Sequence, residues 1–264
     1  MLKKSLIVAV LLLVIGGLGA LLTAKPYFSN QNENEKQTRH FESAQIQSID
    51  ISNPAGTVLL EETSGDHIIV EAYSSKTSIP VKMETNGELL SITNEADHTI
   101  SLGVNFKKSS ENITVYLPKK QYKRIAVSND VGEITIHKIN AIKIHAESDV
   151  GNVDINEVTS KSLYASSGLG NVSINDYSGK LQVENEMGNI DISTDKVTEP
   201  IIAQNELGEI TLTINQDPNN LFISADSEIG STHIFGKKTG SFRSGNGSIT
   251  AELSTEAGDI RVDD

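Results

Sequence analysis

The 264-residue sequence has no cysteine, no tryptophan and only 6 prolines. Without cysteine there is no disulfide, no thiolate metal site, no cysteine nucleophile and no acylated lipoprotein cysteine. A chain with no covalent staple must hold itself together by packing alone. Aromatic residues make up 5% of the chain, too few for a core built on large rings. Positive charge is scarce as well, with 22 Lys and Arg against 35 Asp and Glu. Lys3 and Lys4 precede every acidic residue, so beyond residue 24 the balance is 35 acids to 20 bases, a net charge near −15. Such a surface excludes nucleic acid as a natural partner, and it suits cations or basic peptides. Acidity of this kind also serves solubility.

Long apolar runs are missing too, apart from Leu6–Ala24, which is 19 residues without a charge. A helix of that length is about 28 Å long, close to the hydrocarbon thickness of a bilayer. With Lys3 and Lys4 ahead of it, residues 1–24 are expected to form one transmembrane helix, an uncleaved signal anchor. The body would then lie outside the membrane of a single-pass protein, with the membrane itself as a partner. Leu22-Thr23-Ala24 puts a bulky residue at −3 of the alternative, a signal-peptide cut. Residues 25–43 are polar and aperiodic, and are expected to be a flexible linker.

What is present is β pattern. Residues 44–118 read as an N-terminal β cap with hairpins. TVLLEET and HIIVEAY form one pair, and VKMET and ELLSIT form another across Asn86-Gly87, a strong two-residue turn signal. HTISLGVNF and NITVYLP follow, and Pro118 ends the last of them. From 119 to 264 one phrase recurs: SNDVGEITI, ESDVGNVDI, SSGLGNVSI, NEMGNIDI, NELGEITL, DSEIGSTHI and TEAGDIRV. Its glycines are Gly132, Gly151, Gly170, Gly188, Gly208, Gly230, Gly247 and Gly258, spaced 19, 19, 18, 20, 22, 17 and 11 residues apart. A period of this size is the signature of a solenoid.

Counted from each glycine, positions −7, −5, −1, +2 and +4 are apolar, and all five are expected to point inward. Another apolar residue follows each unit: Ile139, Val158, Tyr177, Val197 and Ile214. The expected fold is therefore all-β: a single-stranded, right-handed parallel β-helix of about 19-residue rungs stacked in chain order. The glycines mark its turns. Position −3 (Asn129, Ser148, Ser167, Asn185, Asn205, Ser227, Ser244, Thr255) is a polar stack suited to hydrogen bonds between rungs.

The apolar N-terminus, ITVYLPKKQYKRIAVSNDVGEITI at 113–136 and the tandem GNVDI, GNIDI and GEITL units resemble a bacterial family of β-strand-repeat adhesins that includes LiaG-like membrane-anchored proteins. The resemblance spans nearly all of 44–264. It implies a β-helix of the cell envelope, linked in some members to envelope stress, and brings no catalytic residues.

No enzyme constellation emerges. At +3 the series Thr135, Asp154, Ser173, Asp191, Thr211, His233 is an ordinary solvated face, and no acid, base and cation cluster. The expectation is thus a non-enzymatic binding or scaffold protein of the envelope, without a cofactor. An envelope protein or a cell-wall polymer is its expected partner. The alternatives are an accessory regulator of a stress-sensing system and a polysaccharide-acting β-helix enzyme. One candidate site stands out, the acidic column at −2: Asp130, Asp149, Glu186, Glu206, Glu228 and Glu256, interrupted by Gly168 and Gly245. It is either a solvated corner or a ladder for a divalent cation such as calcium or for a basic ligand, with Glu186, Glu206 and Glu228 as its longest run.

Overall fold

The computed structural model describes residues 34–75, 81–94 and 111–264, and every regular element among them is a strand. The N-terminal part supplies β1 (Asn34–Glu42), β2 (Ser48–Asn53), β3 (Val58–Thr63), β4 (His67–Ser75), β5 (Lys82–Asn86), β6 (Leu89–Thr93) and β7 (Asn112–Pro118). Each repeat then contributes one long strand and one short strand. The pairs are β8 (Gln121–Val131) with β9 (Ile134–His137), β10 (Asn140–Val150) with β11 (Val153–Asn156), and β12 (Thr159–Leu169) with β13 (Val172–Asn175). They continue as β14 (Ser178–Met187) with β15 (Ile190–Thr194), and β16 (Ile201–Leu207) with β17 (Ile210–Ile214). The C-terminal part holds β18 (Leu221–Ile229), β19 (Thr232–Ile234), β20 (Lys237–Lys238), β21 (Ser241–Arg243), β22 (Ile249–Ala257) and β23 (Ile260–Asp263).

The strands form two mixed, mainly parallel sheets, one of 12 strands that holds the short strands of the repeats and one of 11 that holds their long strands. The core lies between them. Each turn of chain visits both sheets once, so the −7 and −5 side chains of a long strand meet the +2 and +4 side chains of a short one. Ile125, Val127, Ile134 and Ile136 of one turn are all buried, as are Leu181, Val183, Ile190 and Ile192 of another. Each such side chain contributes about 1.5–3 kcal/mol on burial. The anchoring positions Ile139, Val158, Tyr177 and Val197 are buried too, where the chain returns to the long-strand sheet, as is Ile214 at the end of β17.

Only the middle of the stack follows chain order. In the long-strand sheet the order is β21-β18-β22-β16-β14-β12-β10-β8-β2-β6-β5, and in the short-strand sheet β23 lies between β17 and β19. The C-terminal turn, β22 with β23, is therefore inserted inside the preceding one. The first turn, β2 with β3, is likewise packed directly on β8 and β9, with β6 and β7 outside it. Both terminal turns are covered by others; hairpin partners β5, β20 and β21 lie at three of the sheet edges, and the antiparallel β4 with β1 outside it lies at the fourth.

Several expectations are corrected. The fold is a two-sheet stack with inserted terminal turns, because the last turn finds a matching parallel edge on β16 rather than beyond β18. Gly247 is not a rung corner; it lies in the turn between β21 and β22, beside the Arg243 guanidinium. TVLLEET and HIIVEAY are not hairpin partners, since β7 lies between β3 and β4. The turn at Asn86-Gly87 does join an antiparallel hairpin, β5 with β6. The stretch expected as linker supplies β1 from Asn34 onward, tied by Lys36 to Glu71 and by Gln37 Nε2 to the Val81 carbonyl. Its polar residues suit an edge strand with one face in solvent.

The transmembrane helix and signal anchor are not carried forward. Among the described residues no helix is long and apolar enough to cross a membrane. Residues 1–24, on which that expectation fell, lie outside the described residues, as do 25–33 and the expected strand at 98–106. The single-pass location rested on that helix and is not carried forward either.

The corner glycines show why the phrase repeats. A Cβ on Gly188 would sit 1.9 Å from the Gly170 carbonyl oxygen, and Gly188 has φ of +137°. The same contact runs from Gly132 to Gly56, Gly151 to Gly132, Gly170 to Gly151, Gly208 to Gly188, Gly258 to Gly208 and Gly230 to Gly258. Replacing Gly188 by alanine should lower stability by more than about 3 kcal/mol, through overpacking and strain together. Gly87→Ala, with open space around it, should cost only about 1–2 kcal/mol. Urea unfolding of the two variants checks this, and equal midpoints would refute the stacked corner.

The polar stack at −3 is borne out as a bracket for those corners. Asn205 Nδ2 donates to the Gly188 carbonyl at 2.8 Å, Asn185 Nδ2 to Gly170, Ser148 Oγ to Gly132 at 3.0 Å and Ser167 Oγ to Gly151 at 2.8 Å. Ser244, counted from the wrong glycine, instead donates to the Pro218 carbonyl. The Oδ1 atoms of Asn129, Asn185 and Asn205 are buried and meet no protein donor. Asn205→Ser keeps the bracket without that stranded oxygen and should stay within about 1 kcal/mol of the parent, whereas Asn205→Ala should lose about 1–3 kcal/mol. Thermal melts of both variants read the difference.

Candidate functional site

After the −3 side chain turns inward, the strand bends, and the side chains at −2 and −1 both face solvent at the end of the long strand. This places the acidic column on the rim of the long-strand sheet. The ladder pairs Asn185 with Asn205 and Met187 with Leu207, then Asn205 with Thr255 and Leu207 with Ala257. Ser227 pairs with Thr255 and Ile229 with Ala257. The column therefore reads Asp130, Asp149, Gly168, Glu186, Glu206, Glu256, Glu228. Inserting the last turn removes the interruption expected at Gly245 and makes a run of four glutamates.

Two positions earlier, at −4, a second outward column carries Glu147, Ser166, Glu184, Gln204, Ser254 and Asp226. Between the columns lies an open groove of about 570 Å³ that runs across six rungs. Its lining includes eight carboxylates, from Glu147 and Asp149 at one end to Glu228 and Asp226 at the other. None of the six carboxylates of the rim has an ion-pair partner among the described residues.

The other half of the same face is different. A depression of about 350 Å³ is lined by Arg124, Lys143, Lys180, His145 and Tyr164. The rings of His145 and Tyr164 stack with centroids 4.8 Å apart, one rung spacing. Tyr164 Oη donates to Glu184 at 2.8 Å and His145 Nε2 lies 3.2 Å from Glu147, so the aromatic pair bridges the cationic and anionic halves. Burial, aided by Glu184, raises the Tyr164 hydroxyl pKa and keeps it a donor. Sequence reasoning missed this pair; its only signal was the −6 register shared by His145 and Tyr164.

A second acidic feature lies on the short-strand sheet. Partial burial, and then a hydrogen bond and repulsion from Glu133, push the Asp154 carboxyl up to about 6. Neither groove includes it. A carboxyl whose folded pKa is raised costs stability when ionised, so its contribution improves as pH falls from about 6 toward 4. Asp154→Asn should therefore melt higher than the parent at pH 7, and the gap should close by pH 4. A melting series in pH checks the sign.

Among the described residues no group of three or more His, Asp or Glu converges in a way that could hold a metal ion. The rim carboxylates stand one per rung, roughly 4.8 Å apart. Calcium occupancy of this column is thus a proposal with a direct test. Column-specific binding would raise the melting temperature more in calcium chloride than in sodium chloride of equal ionic strength. The excess should vanish in Glu206→Gln/Glu256→Gln/Glu228→Gln; equal shifts in the parent would leave only screening.

A profile of the Toastrack DUF4097 family matches residues 46–177 and, again, residues 132–263. The chain belongs to this family. The overlapping matches are what self-similar rungs produce, and the adhesin-like resemblance read from the repeat is borne out. A structure described as a "putative adhesin" from Bacteroides fragilis is 18% identical with a TM-score of 0.54, covering 88% of this chain and 98% of its own. A "putative cell adhesion protein" from Clostridium sporogenes is 15% identical with a TM-score of 0.47, covering 88% and 99%. A "putative lipid binding protein" from Parabacteroides distasonis is 17% identical with a TM-score of 0.49, covering 88% and 97%. At 18% identity the likeness to the Bacteroides fragilis structure establishes fold alone. No curated protein matches the chain.

Proposed function

We propose that the stacked body is a non-enzymatic, adhesin-like binding module of the cell surface that holds an extended, cation-bearing ligand. One observation carries this reading: a groove of about 570 Å³ crosses six rungs and is lined by eight carboxylates. Unpaired carboxylates in file repel one another by about 0.9 kcal/mol per neighbouring pair even at the dielectric constant of water. A ligand with regularly spaced positive charge relieves that repulsion along the whole groove at once. An envelope protein with a basic segment and an amine-bearing wall polymer both have this chemistry. The description of the Bacteroides fragilis neighbour as an adhesin supports a surface-binding role.

The test uses a fluorescent ten-residue lysine oligomer titrated into the full chain at low salt. Binding should weaken as salt rises. It should weaken at least tenfold in Glu184→Gln/Glu206→Gln/Glu256→Gln, whose substitutions are confined to the groove. Binding that is unchanged in that variant would overturn the reading.

A further inference from the structure

The residue at −1 does not face inward, and this changes what the surface offers. Val131, Val150, Leu169, Met187, Leu207 and Ile229 are 41–74% exposed, the large exposed hydrophobics among the described residues. The ladder pairs Val131 with Val150, Val150 with Leu169, Leu169 with Met187, Met187 with Leu207, and places Ala257 between Leu207 and Ile229. Seven successive rungs thus present one continuous apolar ridge, about 29 Å long at the usual strand spacing. Scattered exposed hydrophobics are normal on a surface, but a continuous row of them marks a contact site.

The ridge runs beside the unpaired rim carboxylates, one residue away along the chain at every rung except Gly168. On its other side, two residues further on, stand Glu133, Glu209 and Asp259, with asparagines between them. An apolar strip edged by carboxylates makes two demands together: removal from water, and positive charge at its margins. A second copy of this chain meets the first but not the second, because it brings the same acidic margins to the contact. A cationic amphipathic helix meets both. Its apolar stripe repeats every three to four residues, about 5–6 Å, close to the rung spacing. A helix matching the ridge end to end has about 19 residues.

We propose that the −1 ridge docks a cationic amphipathic helix lying along the stack axis, its apolar stripe on Met187 and Leu207 and its lysines or arginines on the glutamate run. This rests on the groove reading for its charge and goes beyond it in naming the class of partner. Met187 and Leu207 lie at the centre of the ridge, and contacts at the centre of an interface carry most of its energy.

The probe is a 19-residue Leu/Lys peptide with leucines on one helical stripe. Its controls are an isomer of the same composition with leucines scattered around the helix, and the lysine oligomer used for the groove. Fluorescence anisotropy with the full chain should show the amphipathic peptide binding at least tenfold tighter than its isomer. Met187→Ser/Leu207→Ser should abolish that preference while leaving the melting temperature and lysine-oligomer binding unchanged, since both side chains are half exposed. Glu206→Gln/Glu256→Gln should weaken both peptides. If peptide and isomer bind alike and the serine variant changes nothing, the ridge proposal falls and the groove reading stands. If no cationic probe binds, both fall. If sedimentation shows a dimer that Met187→Ser/Leu207→Ser converts to monomer, the occupant is a second copy and the proposal is overturned.

Discussion

The structure depends on one close approach. At each corner the backbone of one glycine lies against the carbonyl of the glycine below it, so near that a Cβ would fall 1.9–2.2 Å from the oxygen. That contact keeps neighbouring turns in register, since any residue with a side chain would push them apart. The stacked carbonyl is then bound by the −3 side chain of the next turn, as Ser167 binds Gly151 and Asn205 binds Gly188. Backbone proximity sets the spacing, and the buried polar side chain satisfies the acceptor that the spacing exposes.

The corner also decides what the surface looks like. Because the chain bends after the −3 residue, two consecutive side chains, −2 and −1, face solvent, where a straight strand would bury one of them. The result is a charged file beside an apolar file, repeated at every rung. Neither file is stabilising by itself. Like charges stacked a strand spacing apart repel, and exposed leucine or methionine gains nothing from water. The partner proposed above spans rungs, so it would offset both costs at every rung it covers.

Insertion of the terminal turns has a similar double effect. Placing β22 and β23 against β16 and β17 shields the C-terminal end beneath another turn, and hairpin strands close the edges beyond. Open parallel edges invite pairing with other chains, and this arrangement covers them. It also brings Glu256 between Glu206 and Glu228, so the means of closing the stack lengthens the acidic run.

Much of this was legible in the sequence for simple reasons. Period-2 alternation around Ile134, Ile136, Ile190 and Ile192 identified buried strands, the 19-residue spacing identified stacking, and the serines and asparagines at −3 identified bonds between turns. These are local or strictly periodic features, and each residue's role follows from its own neighbours. The order of turns at the two ends, the outward aim of Val131 through Ile229 and the reassignment of Gly247 were decided only in three dimensions. Stacking edges of similar turns are nearly interchangeable, so which edge β22 takes depends on the fit of whole surfaces. Likewise an apolar residue beside a glycine satisfies an inward pattern on paper, and only the bend after Asn185 or Asn205 turns it out. The sequence by itself determined the unit and its repeat, because those rest on alternation and spacing; the tertiary structure decided the order of the units and the face they share, because those rest on where a corner bends and which edges meet.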